Sequence, residues 1–194
     1  MHAATASIPR PGVTPMTFVG GEAGPWQIER IRAVKGSTLP PAPRLGIQAG
    51  LANPAQAIWA LRGVAGHARY VTRAERGPLD QASPSLRRPA ATSGCLIAMR
   101  KSDDWWRHTQ DERRAIFEEG SHHIARSMKY LPAIARALLH SRDLGEQHDF
   151  LAWFEFAPAD AGAFSELLAE LRSTEEWTYV DREVEVWVNQ VDRV

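Results

Sequence analysis

The stretch Phe150-Leu151-Ala152-Trp153-Phe154-Glu155-Phe156, read together with residues 160–172 and 177–191, decides the fold. Its apolar and aromatic run is too short for a helix and reads as a strand. Residues 160–172 bring Phe164, Leu167, Leu168 and Leu171 to one face at helical spacing, so they read as an amphipathic helix. Residues 177–191 read as a long strand in which Val184, Val186 and Val188 share a face. Upstream, Cys95-Leu96-Ile97-Ala98-Met99 opens a short apolar strand over residues 95–100. Thr109-Gln110-Asp111-Glu112 fits a capping box and starts a helix through residue 119. A second helix begins near Ser121 with Ile124, Met128 and Leu131 on one face. Pro132 removes a backbone donor and kinks it, and the pattern predicts more helix through Leu138 and Leu139, with His140 and Arg142 near its end and Gly145 just beyond. The order strand, helices, strand, helix, strand is most of a ferredoxin-like α+β unit, an antiparallel sheet with helices on one face.

The first half is less regular. Eight of the 13 prolines and seven of the 14 glycines lie within residues 1–54, which predicts only short elements there. Strands are expected near residues 25–33, at residues 56–64, where Ile58, Ala60 and Arg62 alternate with Trp59, Leu61 and Gly63, and at residues 67–72. Residues 75–94, with Pro78, Pro84 and Pro89, read as a long loop. Residues 1–15 read as a flexible tail, with Met16 an alternative start of translation.

Composition narrows the function. The 194 residues fit one large domain or two small ones at roughly 150 residues per domain. A net charge of zero, from 23 basic and 23 acidic side chains, disfavours nucleic acid, whose binders need a basic excess for phosphate contacts. No window approaches the roughly 18 apolar residues of a spanning helix, and no secretory signal is visible, so the expected address is the cytoplasm, away from membranes. Cys95 is the only cysteine, and inside an apolar run it reads as a buried thiol. There is no GxGxxG, P-loop, HExxH or GxSxG motif. Adjacent His122 and His123 would point about 100° apart on a helix, a poor grip on one metal ion. The seven tryptophans exceed ordinary usage. Core packing explains most of them, and a pocket for a large flat cofactor such as haem is the functional alternative.

Several runs together resemble the chlorite dismutase family, in particular its short-subunit, dimeric branch. They are Arg100-Lys101-Ser102-Asp103-Asp104-Trp105-Trp106 followed by residues 109–117, Ser121-His122-His123-Ile124-Ala125, residues 129–136, and Glu175-Glu176-Trp177-Thr178-Tyr179-Val180. The likeness is dense from about Gln56 to Val186, with a weaker trace at Thr17-Phe18-Val19-Gly20-Gly21. It implies ferredoxin-like units of the dimeric α/β-barrel type: a tail over residues 1–15, a reduced N-terminal unit over residues 16–94, and a haem-binding C-terminal unit over residues 95–194. It implies haem b held by His123 as proximal iron ligand, with Glu176 on the other ring nitrogen and Lys101 and Trp105 in the same proximal network. Tyr70 would lie near a propionate, and Arg136 would be the catalytic arginine of the distal side.

The chemistry of these types agrees with that assignment. A carboxylate on the second imidazole nitrogen fixes the tautomer and raises ligand basicity, Lys101 offsets a buried carboxylate, and Trp105 offers an indole N–H. Taken singly, Glu176 reads as a surface acid, Trp105 as core and Arg136 as a snorkelling surface residue. Arg136 follows His123 by 13 residues, about 20 Å on a straight helix and too far to flank one thin ring, and Pro132 lets the chain turn between them. The implied reaction converts the small anion chlorite to chloride and dioxygen, with O–O bond formation between a ferryl oxygen and a transient hypochlorite held by Arg136. Alternatives are a haem peroxidase, a coprohaem decarboxylase-like enzyme (a branch that lacks the distal arginine), a non-enzymatic haem carrier or sensor, and a dimerising module with no cofactor.

Overall fold

The computed structural model describes residues 14–65 and 69–191. Eight antiparallel strands run through it: β1 (Thr14–Gly21), β2 (Trp26–Lys35), β3 (Arg44–Ala49), β4 (Trp59–Ala65), β5 (Ser93–Lys101), β6 (Ala135–His140), β7 (Phe150–Phe156) and β8 (Val180–Gln190). They close into a barrel in the order β1-β3-β2-β8-β5-β7-β6-β4. Each half of the chain contributes one contiguous four-stranded arc. In both arcs the fourth strand lies beside the first, then the third, then the second. Only the second half inserts helices between β5 and β6 and between β7 and β8: α2 (Asp103–Arg107), α3 (Gln110–Arg114), α4 (His123–Met128), α5 (Ala161–Arg172) and α6 (Glu175–Thr178). The first half is followed by α1 (Arg73–Ala82).

Period-two patterning explains the two apolar layers. Along β5, Leu96 and Ala98 point into the barrel beside Phe18, Trp59, Leu151 and Trp153. Cys95 and Ile97 point outward against Phe164, Leu167, Leu168 and Leu171 of α5. A strand buried on both faces reads as a continuous apolar run, which is why residues 95–99 lack polar alternation. On β8, Val184, Val186 and Val188 face inward while Trp187 packs outward. Gly20 is required on β1, since a Cβ there would fall 2.0 Å from the Trp59 ring. Burial pushes the Cys95 thiol well above its ordinary range, which keeps it protonated and unreactive.

Four expectations are corrected. Residues 135–140 are strand β6, not helix. The Ala135-Arg136-Ala137-Leu138-Leu139-His140 run pairs along its length with β7, and the ladder overrides the run's helix propensity. Residues 73–82 are helix α1 within the expected loop; Thr72 and Glu75 close a reciprocal capping box, and Pro78 sits inside the helix. Arg69–Tyr70 form a turn and Val71 and Thr72 join no strand; the rest of the strand expected at residues 67–72 lies outside the described residues. The last long strand begins at Val180 rather than at residue 177, because Glu175–Thr178 forms α6. Strands β1 and β3 also lie where no strand was expected. Residues 1–13 of the expected tail lie outside the described residues.

His148, in the β6–β7 connection, is 2% exposed, and neither of its ring nitrogens has a hydrogen-bond partner. Burial, then nearby Arg182, lowers its pKa from 6.5 to about 4. The unfolded chain therefore binds a proton that the folded chain refuses between those values. Stability is full above pH 6.5 and should decline as pH falls toward 4, by on the order of 3 kcal/mol in total. Denaturant titrations at stepped pH check this. His148→Leu should flatten the decline in that window, and an unchanged slope would exclude His148 as its source.

Candidate functional site

A cavity of about 330 Å3 lies on the outer face of β5, β7 and β6, roofed by α4 and α5. It falls in the size range of small-molecule sites, roughly 300–1,000 Å3. Its walls are mostly apolar, built by alternate residues of the sheet (Ile97 and Met99, Ala152 and Phe154) and by Leu167, Leu168 and Leu171 of α5. The barrel interior is filled by its own side chains, so the space lies between sheet and helices, not inside the barrel.

The structure brings Tyr70, Lys101, Trp105, His123, Arg136 and Glu176 to this one cavity. Their local supports differ. Residues Ala115–Gly120 widen α3 into a π-helical turn, a form often found at functional sites. His122 follows with φ 53, in the left-handed region, at a cost of roughly 1–2 kcal/mol. That reversal makes His123 the first residue of α4, so the two adjacent histidines do different things. Glu118, buried in the π turn, accepts the backbone N–H groups of Ile124 at 2.5 Å and Ala125 at 3.2 Å and so caps α4. Phe117 stacks on the His123 ring with centroids 4.3 Å apart.

His123 Nδ1 lies 2.7 Å from Glu176 Oε2. Lys101 Nζ donates to Glu176 Oε1 at 2.8 Å and to its backbone carbonyl at 3.3 Å. Lys101 is 3% exposed and Glu176 4%. Burial alone would raise the Glu176 carboxyl, but the charges of His123 and Lys101 and their hydrogen bonds outweigh it and hold the pKa at about 2. Ser121 Oγ accepts the Glu176 backbone N–H at 3.0 Å. Lys101 is fixed from behind, its backbone N–H donating to buried Asp149 at 2.7 Å. With Nδ1 taken by the carboxylate, Nε2 is the nitrogen of His123 left for a metal.

The Trp105 indole Nε1 is buried with no acceptor, and Lys101 Nζ lies 4.6 Å over its ring. Tyr70 meets Trp105 edge-on at 6.0 Å. The Arg136 side chain, on β6, forms no hydrogen bond or ion pair with any described residue. Burial lowers its pKa from 12.5, yet a guanidinium stays charged at neutral pH. These features suit haem: an apolar slot, one free imidazole nitrogen, an orphaned indole donor for an acid group at the ring edge, and an unpaired cation for an anionic ligand. Among the described residues no cluster of three or more His, Cys, Asp or Glu side chains forms a direct metal site.

Sequence reasoning did not single out Phe117, Glu118 or Asp149. The two acids carry no motif. Only their burial beside backbone donors shows what they hold. Nor did it find α1, whose Leu79 lines the cavity, although Thr72-Arg73-Ala74-Glu75 carries the same capping signal as Thr109-Gln110-Asp111-Glu112.

Comparisons with known proteins agree on one family. A family model described as chlorite dismutase matches residues 47–191. A dimeric chlorite dismutase from Nitrobacter winogradskyi, known from its crystal structure, is 52% identical, covers 91% of this chain and 99% of its own, and superposes with a TM-score of 0.85. A variant chlorite dismutase from Candidatus Nitrospira defluvii, in complex with cyanide, shares the fold at 16% identity and a TM-score of 0.63, over 92% of this chain and 91% of its own. A curated chlorite dismutase from Ideonella dechloratans is 32% identical over 84 residues, 43% of this chain; the match spans 27% of that protein, about a quarter of its length.

The Lys101–Glu176 pair gives a stability test. Lys101→Met leaves a buried carboxylate short of a partner and should lower the unfolding free energy by about 3 kcal/mol. Lys101→Met with Glu176→Gln removes the charge as well and should recover most of that loss in chemical denaturation. Additive losses in the double variant would mean the two side chains are not coupled.

Proposed function

The chain belongs to the chlorite dismutase family, and from that premise we propose that it is a haem b enzyme converting chlorite to chloride and dioxygen. One observation carries the reading: one mostly apolar cavity is lined both by His123, bound to the buried Glu176, and by Arg136, whose guanidinium pairs with no described residue.

When bound, haem b supplies an iron centre that exchanges an oxygen atom with the substrate. His123 would hold it through Nε2, while Glu176 keeps the ring proton on Nδ1 and makes the imidazole a stronger donor. Lys101 keeps Glu176 ionised in a buried setting. The free Trp105 N–H, with Tyr70 beside it, would meet a propionate. Arg136 attracts chlorite into a mostly apolar cavity and orients it. The same guanidinium would hold a hypochlorite-level fragment within the cavity, where the haem would supply the oxygen-atom chemistry. Of the other cations in the lining, Lys101 is engaged by Glu176 and Arg69 by Asp143, which leaves Arg136 to meet the anion.

The wider reading follows from the same basis. The strand order in each half supports two ferredoxin-like units, the second of which carries the haem. We read the chain as a homodimer by its likeness to the Nitrobacter protein. We assign it to the cytoplasm, in keeping with its single, buried, free cysteine. Among the described residues no helix is long and apolar enough to cross a membrane.

An oxygen electrode read beside the absorption spectrum of the haem-loaded protein tests the proposal. Chlorite should release dioxygen rapidly. Arg136→Ala should keep the Soret band and lose about 100-fold or more in turnover, the scale of removing one preorganised electrostatic group. His123→Ala should lose haem. Full turnover by Arg136→Ala would overturn the role of the arginine. Bound haem without dioxygen would move the assignment to a peroxidase, a decarboxylase or a carrier.

A further inference from the structure

Two tryptophans line the cavity, Trp105 and Trp177, and their indole nitrogens meet opposite surroundings. Trp105 has no acceptor for its N–H and carries an ammonium 4.6 Å over its ring. The missing acceptor opposes oxidation: with no base to take the indole proton, the one-electron product would stay a radical cation, which the ammonium repels, whereas an indole that hands its proton to a carboxylate becomes a neutral radical that a nearby cation does not repel. Trp177 donates its N–H to Glu183 Oε2 at 2.8 Å, and Lys101 Nζ is farther from its ring, at 5.6 Å.

Glu183 is the start of a chain leading outward. It is fully buried and bound by the Arg172 guanidinium, which also bonds Glu185. Glu185, equally buried, accepts the indole N–H of Trp187 at 2.7 Å. Glu183, Glu185 and Trp187 are spaced by two on β8, so their side chains share its outer face. The far end reaches solvent. Arg32, 56% exposed, bonds Glu185 at 3.1 and 3.2 Å, and Arg30 lies 4.2 Å over the Trp187 ring. A single arginine–carboxylate pair would suffice to lock α5 to β8. Two buried carboxylates, each holding an indole N–H, exceed that need. Trp153 pairs with Glu155 in the same way but belongs to the packed barrel core and does not line the cavity.

We propose that Trp177 and Trp187 form a one-electron escape route for oxidising equivalents that a peroxide leaves at the haem, a proposal that rests on the haem reading above. Trp177 gives one electron to the oxidised centre, and its indole proton moves to Glu183. Trp187 then gives an electron to Trp177, Glu183 returns its proton to Trp177, and the Trp187 proton passes to Glu185. A small reductant such as ascorbate supplies one electron to Trp187, and Glu185 returns the proton. The net effect is one electron delivered from solution to the cavity with no proton lost, sparing the haem from oxidation.

The test uses the haem-loaded protein, hydrogen peroxide as the oxidant, freeze-quenched electron paramagnetic resonance and the decay of the Soret band. The parent should show a tryptophanyl radical. Trp187→Phe should shift its hyperfine pattern to that of a second tryptophan while leaving dioxygen release from chlorite unchanged. Trp177→Phe should abolish the signal and bleach the haem several-fold faster, with ascorbate no longer protective. Glu183→Gln, which keeps a hydrogen-bond acceptor but removes the base, should lower the radical yield. Parent-like radical yield and bleaching in Trp177→Phe would overturn the route. Bound haem with no tryptophan radical in the parent would overturn it while leaving the proposed function standing, and a parent that binds no haem would remove both.

Discussion

Glu176 is a carboxylate taken almost wholly out of water, and the cost of that burial organises the elements around it. It is offset only if Lys101 arrives from the end of β5 and His123 from the start of α4. Each of those two is itself held: Lys101 by Asp149, and His123 by the left-handed turn at His122, the Glu118 cap and the Phe117 ring. One ionised group thus fixes the relative placement of a strand, a π turn and two short helices. It also fixes which imidazole nitrogen is available. In the proposed function the same three residues serve both stability and ligand chemistry, so a change at any of them would act on both.

The barrel decides where such a site can exist. A closed eight-stranded sheet packed with Trp26, Trp59 and Trp153 leaves no interior room for a large ligand. Space arises instead on the outer face, where α4 and α5 cover β5, β7 and β6. Among the described residues, helices connect strands of the same arc only in the second arc, and it is that arc whose outer face carries the covered, apolar slot. The walls are mostly apolar, and in the proposed function a guanidinium with no partner among the described residues would act on an anion at lower effective dielectric than in water, where its pull is stronger.

Placement of Arg136 depends on a change of element after Pro132. As part of one long helix it would be displaced along the axis from His123. As a strand residue opposite Phe154, it stands on the sheet wall of the cavity while His123 belongs to the helical roof. The separation across the slot, rather than along an axis, is what gives the site two chemically distinct sides.

The sequence by itself determined the strands β2, β4, β5 and β7, most of β8, helix α5 and, through its resemblance to the chlorite dismutase family, six of the residues that line the cavity. Two-sided apolar runs and a 3.6-residue stripe leave little freedom where burial is continuous, and side-chain identity carries the chemistry of a histidine, its carboxylate and a lone arginine. Tertiary structure alone decided the rest. The run Ala135–His140 carries helix-forming residues, and only the ladder offered by β7 makes it a strand. The strands β1 and β3, rich in glycine and proline surroundings, form because the barrel needs partners for β2 and β4. Glu118 and Asp149 look like ordinary surface acids until folding encloses them beside unpaired backbone donors. Local pattern reports which face of a segment avoids water. It cannot report which distant backbone will complete its hydrogen bonds, and that pairing set the strand carrying Arg136.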